Sequence, residues 1–551
     1  MTNQELAELI FPDIKLNKDD YEKKYPPRNL QQNTRITRFA PSPTGFVHIG
    51  NFFQALISYI NAKSTEGIFY LRNEDTDKKR EKKGAVELIL ETLDHYGISP
   101  DEYELNNKVH GNYGPYIQSK RKDLYRTFAK YLIEIGRAYP CFCTSKELSN
   151  LRELQTKEKA RTGYYGEYAK CRNLSNEEIA EKIRLGAPYV IRFKSKGNFS
   201  NKFTFKDLVR GAIEFPENDF DIIILKSEDQ LPTYHFAHVI DDHFMRTTHV
   251  VRGEEWLSSV PVHIEIFETM GWIPPRYLHN PLILKKDGES LRKISKRKDP
   301  EASMKYFEEK GYPPETIIDS LMTIINSNFE DWRRANPIED FRHFKFNPKK
   351  MNSSGALYSL DKLDNISKNY ISKMTANDLY TELCKWTKKY DPEFYKLIEK
   401  NKAYTVSILD IERGNKNPRK DFTCYSVIRK NIWYMFDELF DASKHKYDWQ
   451  NIKDIQEIKE ILALYIGEYY NVNDDKDTWW EKVKELCNNL SYASSIKEYN
   501  TNPQKYKGNI ADISNVIRVA ITTQSRTPDL YEILQVMGIN RIKRRIKKLS
   551  K

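Results

Sequence analysis

Residues Arg38–Asn51 (RFAPSPTGFVHIGN) put two prolines, two glycines and a histidine into fourteen positions. Proline and glycine on this scale break any regular element. The residues before them alternate apolar and polar, as a short strand does. The run after them, Phe52–Ala62 (FFQALISYINA), repeats its apolar residues at helical spacing. The stretch therefore reads as a strand, a shaped loop and a helix start. In α/β folds that junction is where phosphates and nucleotides are held.

At 551 residues the chain is too long for one core, so several domains are expected. Strand, loop and helix alternate through Val251, with strands at Arg35–Phe39, Ile68–Arg72, Tyr189–Phe193 and Asp221–Leu225. A helix is expected from about Lys79 to Tyr96, and an amphipathic one over 117–139. The β signal fades after about residue 300, and from about 376 the chain reads as helix after helix. An α/β catalytic module with helical domains appended follows from that order. Residues 1–34 read as a polar helical extension. No apolar run approaches the ~20 residues of a membrane span. Six cysteines in such a length do not make a disulfide framework, which points to a reduced, cytosolic protein. The formal charge of +11 suits a chain that touches nucleic acid over one face, as do the seven Lys and Arg of the last eleven residues (RIKRRIKKLSK).

A second motif lies at Leu291–Lys298 (LRKISKRK), between the apolar run PLILK and Asp299-Pro300. Five cations so close together call for an anionic guest. A triphosphate fits, because charge develops on the leaving pyrophosphate. Together, the HIGN loop and the KISKR loop resemble the two signatures of class I aminoacyl-tRNA synthetases. The closer likeness is to bacterial-type glutamyl-tRNA synthetases. It rests on RFAPSPTG, the strand end NEDTD (73–77), PTYHFAHVIDDHFMRTTHVVRGEEWLSS (232–259) and KISKR. The sister glutaminyl enzymes usually carry Pro-Glu-Pro where this chain has Pro41-Ser42-Pro43. The likeness is strong over about 35–300, looser to about 510, and resumes at the C-terminus (VIRVAITTQSRTPDLYEILQVMGINRIKRRIKKL).

The resemblance implies a Rossmann catalytic domain (35–100 and 216–280) interrupted by an acceptor-binding insertion (101–215). A stem-contact domain carrying the KISKR loop (281–375) and an all-α anticodon-binding domain (376–551) would follow. It implies a glutamate–tRNA ligase acting through glutamyl-adenylate. Glutamate carries two carboxylates and an ammonium, and arginine binds carboxylate in a bidentate fork. Arg38 and Arg252 stand at the family's amino-acid positions, with Ala40, Ser42, Tyr234 and Trp256; Glu74 stands where the ammonium is held. His238 replaces a residue that is often asparagine, and as a histidine its charge is expected to vary near pH 6 to 7. For ATP the resemblance points to His48, Gly50, Asn51, Glu255, Ile294, Ser295 and Lys296, with His48, Lys293 and Lys296 catalytic through charge stabilisation.

ATP with Mg²⁺ is implied, as is a structural zinc on Cys141, Cys143 and Cys171. The family's tyrosine four residues before the last cysteine is Glu167 here, so Glu167, Tyr165 and Tyr168 all stand as fourth ligands. The implied partners are glutamate, ATP and tRNA(Glu), joined in a non-discriminating branch by tRNA(Gln); no membrane is involved and the chain is a monomer. Residues 426–436 (SVIRKNIWYMF) and 541–548 (RIKRRIKK) are candidates for the anticodon, where aromatics interleave with cations; the alternative for Trp433 is helix core. Other readings carry less. An enzyme of this fold that glutamylates a tRNA base lacks the helical module. A silent paralogue would have lost signature residues. A small nucleotidyltransferase needs no helical tail.

Overall fold

The computed structural model describes residues 1–77, 82–440 and 446–550. They form two compact units, Met1–Tyr306 with Ile318–Ser359, and Phe307–Ile317 with Leu360–Lys551.

The first unit is built on parallel strands. Ile36–Phe39 pairs in parallel with Ile68–Leu71, and His249–Gly253 with Arg276–Asn280. The Thr248 N–H donates to the Ile36 carbonyl at 3.0 Å, setting the two pairs side by side. All four residues of Ile36–Phe39 are buried, as in strands covered on both faces. The helix Ile49–Lys63 is buried on nearly every side because it crosses between the first two strands. Gly67 lets the chain return to the sheet: a Cβ there would lie 1.9 Å from the Arg35 carbonyl oxygen. Of the helix expected over Lys79 to Tyr96, residues 79–81 lie outside the described residues, and the observed helix is Ala85–His95.

The insertion carries an antiparallel sheet ordered Ala138–Cys141, Val190–Phe193, Ile223–Leu225, and a hairpin of Lys202–Asp207 and Gly211–Pro216. Ile223–Leu225 therefore continues the insertion's sheet, although it falls after the boundary expected at 215. Strand pairing decides this, and the short apolar run has no local mark of its partner.

The N-terminal residues are less detached than a polar extension suggests. Helices Asn3–Ile10 and Lys18–Lys24 pack against Lys122–Glu134. Leu6, Ile10, Phe11, Tyr21 and Tyr25 join one buried cluster with Tyr70, Phe128 and Phe244. Arg28 grips Glu102 through both guanidinium nitrogens, at 2.7 and 2.8 Å. Glu102 also accepts from the Tyr116 hydroxyl at 2.7 Å, and the Tyr116 carbonyl accepts from the Asn73 N–H at 2.8 Å. The extension thus braces the strand end that carries Glu74.

The second unit is helical, with a core that includes Leu379, Leu383, Ile408, Ile428, Ile461, Leu486, Ile517 and Ile533. It takes in 307–317 and 360–375, which the domain expectation puts with the KISKR loop. The amphipathic helix Leu360–Lys373 explains the second: Leu363 and Ile371 are buried. Among the described residues no helix is long and apolar enough to cross a membrane, and all six cysteines are free thiols.

Candidate active site

A cavity of about 660 Å³ opens at the C-terminal ends of the parallel strands, lined by Arg38, Ala40, Ser42, Asn51, Glu74, Tyr234, Arg252, Glu255 and Trp256 among others. Nine sequence-selected positions from four distant stretches thus share one space. Most sit where a strand ends: Arg38 to Ser42 at the end of the first, Glu74 after the second and Arg252 to Trp256 at the end of the third, while Asn51 and Tyr234 lie in the first turns of helices. Carboxyl ends of parallel strands are where such folds bind ligands.

The nucleotide loop lies close by. His48 caps the helix Ile49–Lys63, and its Nδ1 accepts from the Gly50 N–H at 3.0 Å. A Cβ at position 50 would press to 3.2 Å from that nitrogen, which is why glycine suits the site. With Nδ1 accepting, the ring proton sits on Nε2, leaving a neutral donor. Burial, helped by Lys296 and Lys293, pushes the His48 imidazole down to about 4. The KISKR loop is therefore near His48. Backbone contacts tie its far side to the same place, with the Met304 N–H on the Val47 carbonyl at 3.1 Å and a bridge from His48 to Ser303.

A family description, tRNA synthetases class I (E and Q), catalytic domain, matches residues 35–341, and a second, anticodon binding domain, matches 428–550. Proteins named glutamate–tRNA ligase from Clostridium perfringens and Acetivibrio thermocellus are each 46% identical over 550 residues, spanning 100% of this chain and 99% and 100% of theirs. The chain belongs to the glutamate–tRNA ligase family. A crystal structure of a glutamate tRNA ligase from Elizabethkingia meningosepticum in complex with its amino acid superposes with a TM-score of 0.74. It is 26% identical and covers 94% of this chain and 99% of that one.

Within this ligase the cavity wall is strongly charged, and its charges are not alike. Arg72 is fully buried, donating to Asp242 at 2.6 Å and to Glu74 at 3.0 Å. Arg38 reaches Asp242 at 3.4 Å and the Val251 carbonyl at 2.9 Å. Although burial works against it, Arg72 and Arg38 hold the Asp242 carboxyl well below the usual range. Burial lifts Glu74, against the pull of Arg72 and Arg38. Arg252 has no carboxylate partner among the described residues: it donates to His279 at 2.9 Å, His263 at 3.1 Å and the Trp256 carbonyl at 3.4 Å. Tyr234 and Trp256 form an aromatic wall, their ring centroids 4.1 Å apart.

Four sequence expectations are corrected. His238 does not line the cavity; it is buried behind Tyr234, with Nε2 2.9 Å from the Tyr277 hydroxyl and Nδ1 2.7 Å from Asp242. Burial, partly countered by Asp242, pushes its pKa to about 3, so its charge does not vary near neutral pH. The KISKR loop does not rely on a guest for all of its charge. Arg292 is clamped on buried Asp299 at 2.6 and 2.8 Å, which also accepts from the Ser295 N–H at 3.0 Å. Ile294 is buried and its N–H bonds to the Ile283 carbonyl at 3.3 Å, so neither amide faces a nucleotide unaided. Lys293 and Lys296 are exposed and have no carboxylate partner among the described residues.

The third correction concerns the cysteines. The Cys141, Cys143 and Cys171 sulfurs lie within 4.8 Å of one another. The Tyr164 hydroxyl completes the group, 3.4 Å from Cys141 Sγ and 3.3 Å from Cys143 Sγ. Tyr165 bonds to the Arg161 carbonyl, Tyr168 to Glu158, and Glu167 is exposed. Zinc–sulfur bonds of about 2.3 Å in a tetrahedron space two sulfurs by about 3.8 Å; Cys143 and Cys171 are 3.7 Å apart. The donor set fits zinc.

The fourth concerns the basic C-terminus. On the helix Ile539–Ser550, Arg541, Arg544 and Arg545 converge on Asp437, and Arg545 is 1% exposed, donating to the Tyr434 and Ile521 carbonyls at 2.6 Å. These arginines hold the helical unit together; Lys543, Lys547 and Lys548 remain on the surface. Within 426–436, Ile428, Ile432 and Tyr434 to Phe436 are core, while Trp433 is half-buried and lines a cavity of about 460 Å³ with Arg419, Lys430, Gln524 and Arg526. The Arg419 side chain is 5% exposed, and its buried Nη2 has no partner.

Several site residues escape a reading of the sequence. Gln118 and Lys226 line the main cavity, but nothing local marks them. Arg72, Asp241 and Asp242 were findable: an arginine ending an apolar strand and paired acids on an apolar helix face must meet partners when buried.

Proposed function

We propose that the chain activates glutamate with ATP and passes the glutamyl group to the 3′-terminal adenosine of tRNA(Glu), as a monomer in the cytosol. Arg252 carries this reading. A buried guanidinium in a cavity wall, bonded only to neutral acceptors, is a seat for a ligand carboxylate. Glu74, held by Arg72, offers the complementary seat for the ammonium. Arg38, Ser42 and Tyr234 complete the pocket, and Trp256 closes over Tyr234.

In the first step a glutamate α-carboxylate oxygen attacks the α-phosphorus of ATP. The new O–P bond forms as the bond to the bridging oxygen breaks, and pyrophosphate leaves with its electron pair. Mg²⁺ arrives with ATP and screens its phosphates. His48 donates from Nε2 without adding charge. Lys293 and Lys296, free of carboxylates, take up charge on the departing phosphates, and catalysis is positioning plus charge stabilisation. Gly50, Asn51 and Glu255 border the nucleoside, with Ile294 and Ser295 behind the two lysines. In the second step a ribose hydroxyl of the tRNA terminus attacks the activated carbonyl carbon and AMP leaves.

The cavity beside Trp433 suits an unstacked base of the anticodon, with an aromatic face and the unpartnered Nη2 of Arg419 at its edge. The cysteine cluster suits a structural zinc held by Cys141, Cys143, Cys171 and Tyr164, which would pin the insertion. Elemental analysis of the purified chain should find about one zinc per chain, and Cys143→Ser should lower both zinc content and the melting temperature of the insertion. Far less than one zinc in the wild type sinks that assignment.

The function is tested by charging purified tRNA(Glu) and tRNA(Gln) transcripts with radiolabelled glutamate, using glutamine as the control amino acid. Charging of tRNA(Glu) alone identifies a discriminating ligase, and charging of both a non-discriminating one. Charging of neither overturns the reading.

A further inference from the structure

We propose that uncharged histidines, His263 and His279, form a cradle that keeps Arg252 free for an acidic substrate side chain, and that they are positioning residues for amino-acid selectivity. The inference rests on the assignment of Arg252 to the substrate carboxylate and deepens it.

Arg252 is 3% exposed, yet its nearest polar neighbours are not acids. Its Nε–H donates to His279 Nε2 at 2.9 Å, and Nη1 donates to His263 Nδ1 at 3.1 Å. A guanidinium has about five N–H donors. The third bond goes from Nη2 to the Trp256 carbonyl, and the Tyr234 hydroxyl also lies against the guanidinium, so every partner is neutral and the positive charge is left for a carboxylate.

The acceptor role fixes each histidine tautomer. His279 accepts at Nε2, so its proton is on Nδ1, donated to Asp207 Oδ2 at 2.7 Å. Asp207 is already satisfied by the N–H groups of Val209, Arg210 and His279, at 2.9, 2.9 and 3.2 Å. His263 accepts at Nδ1, so its Nε2–H faces His235 Nδ1 at 3.0 Å. Both imidazoles are fully buried, and burial keeps both in the neutral form. Asp207 sits on the inserted hairpin and acts one imidazole away. It orients the acceptor without touching the arginine.

Arg72 shows the alternative in the same wall. Its guanidinium is paired with Asp242 and Glu74, so no pull is left for a ligand. A carboxylate in place of His263 would treat Arg252 likewise. A neutral acceptor holds the side chain rigid and leaves its charge to the substrate.

His263→Glu and His263→Gln differ only in charge and make the test. Charging of the tRNA(Glu) transcript is followed over glutamate and ATP concentrations, with Arg252→Gln alongside. His263→Glu should raise the KM for glutamate by about 100-fold over His263→Gln. The KM for ATP should differ by less than about threefold between the two. Equal glutamate KM values in the two variants, with Arg252→Gln impaired, overturn the cradle and leave the Arg252 assignment standing. A normal KM in Arg252→Gln overturns both. If thermal melting shows His263→Glu unfolded, the double variant Asp207→Asn with His279→Glu moves an existing carboxylate next to Arg252. It should show the same glutamate-specific rise, and its failure to do so overturns the proposal.

Discussion

Arg252→Gln raises the KM for glutamate by roughly 30- to 3000-fold, the equivalent of about 2–5 kcal/mol for a buried charged contact that loses one partner. The KM for ATP changes little, because the adenylate-forming loops are built from His48, Gly50 and the KISKR lysines rather than from this arginine. The effect is large because nothing else in the wall can replace it. Arg38 is shared with Asp242 at 3.4 Å, and Arg72 is fully engaged. Discrimination against glutamine should fall in parallel, since an amide loses far less than a carboxylate when a cation is removed. Aminoacylation kinetics with each amino acid check both effects. A variant that charges normally at low glutamate contradicts the pocket.

The second large effect is on stability in mild acid. His48, His235, His238, His243, His249, His263 and His279 all lie in the first unit, and burial comes first among the causes that lower each of them. In the unfolded chain they take up protons near pH 6.5, while in the fold His48, His235, His243 and His249 stay neutral to about pH 4 and His238 to about pH 3, and burial lowers His263 and His279 as well. The unfolded state therefore binds more protons in that window. Stability is fully present above about pH 6.5 and is lost as pH falls towards 4, by about 1.4 kcal/mol per pH unit for each such histidine. Glu74 and Glu134, both raised by burial, oppose this as two groups against seven. Thermal melts at pH 7 and pH 5 should show the transition at least 10 °C lower in acid, by the usual conversion of about 2–4 °C per kcal/mol. A flat midpoint over that range contradicts the buried-histidine network.

Much of the site was legible because its chemistry is written in short, local strings. The strand–loop–helix at 35–62 needs Pro and Gly at its bend. NEDTD and VVRGEEW each end an apolar strand, which sends Glu74 and Arg252 to the same edge of the sheet. What a string does not carry is partner choice over distance. His238 reads as a pocket residue because the resemblance puts it there, yet one turn further along the helix than Tyr234 it is already buried behind that ring and bonded to Asp242 and Tyr277. Arg545 reads as a phosphate contact until Asp437 and the Tyr434 carbonyl are seen around it. Tyr164 lies seven residues before Cys171, too far to be chosen by spacing alone, and a short helical turn at Gly166–Tyr168 brings it round. The N-terminal helices look polar by composition, but Tyr21 and Tyr25, one turn apart, are enough to seat the second of them in the core.

The most direct test of the account is a crystal structure of this chain with glutamate bound. The account predicts one ligand carboxylate accepting from both Nη atoms of Arg252 at about 2.7–2.9 Å, with the ligand ammonium on Glu74. Glutamate seated with its carboxylates on other groups, and Arg252 still bonded only to His263, His279 and the Trp256 carbonyl, would contradict it.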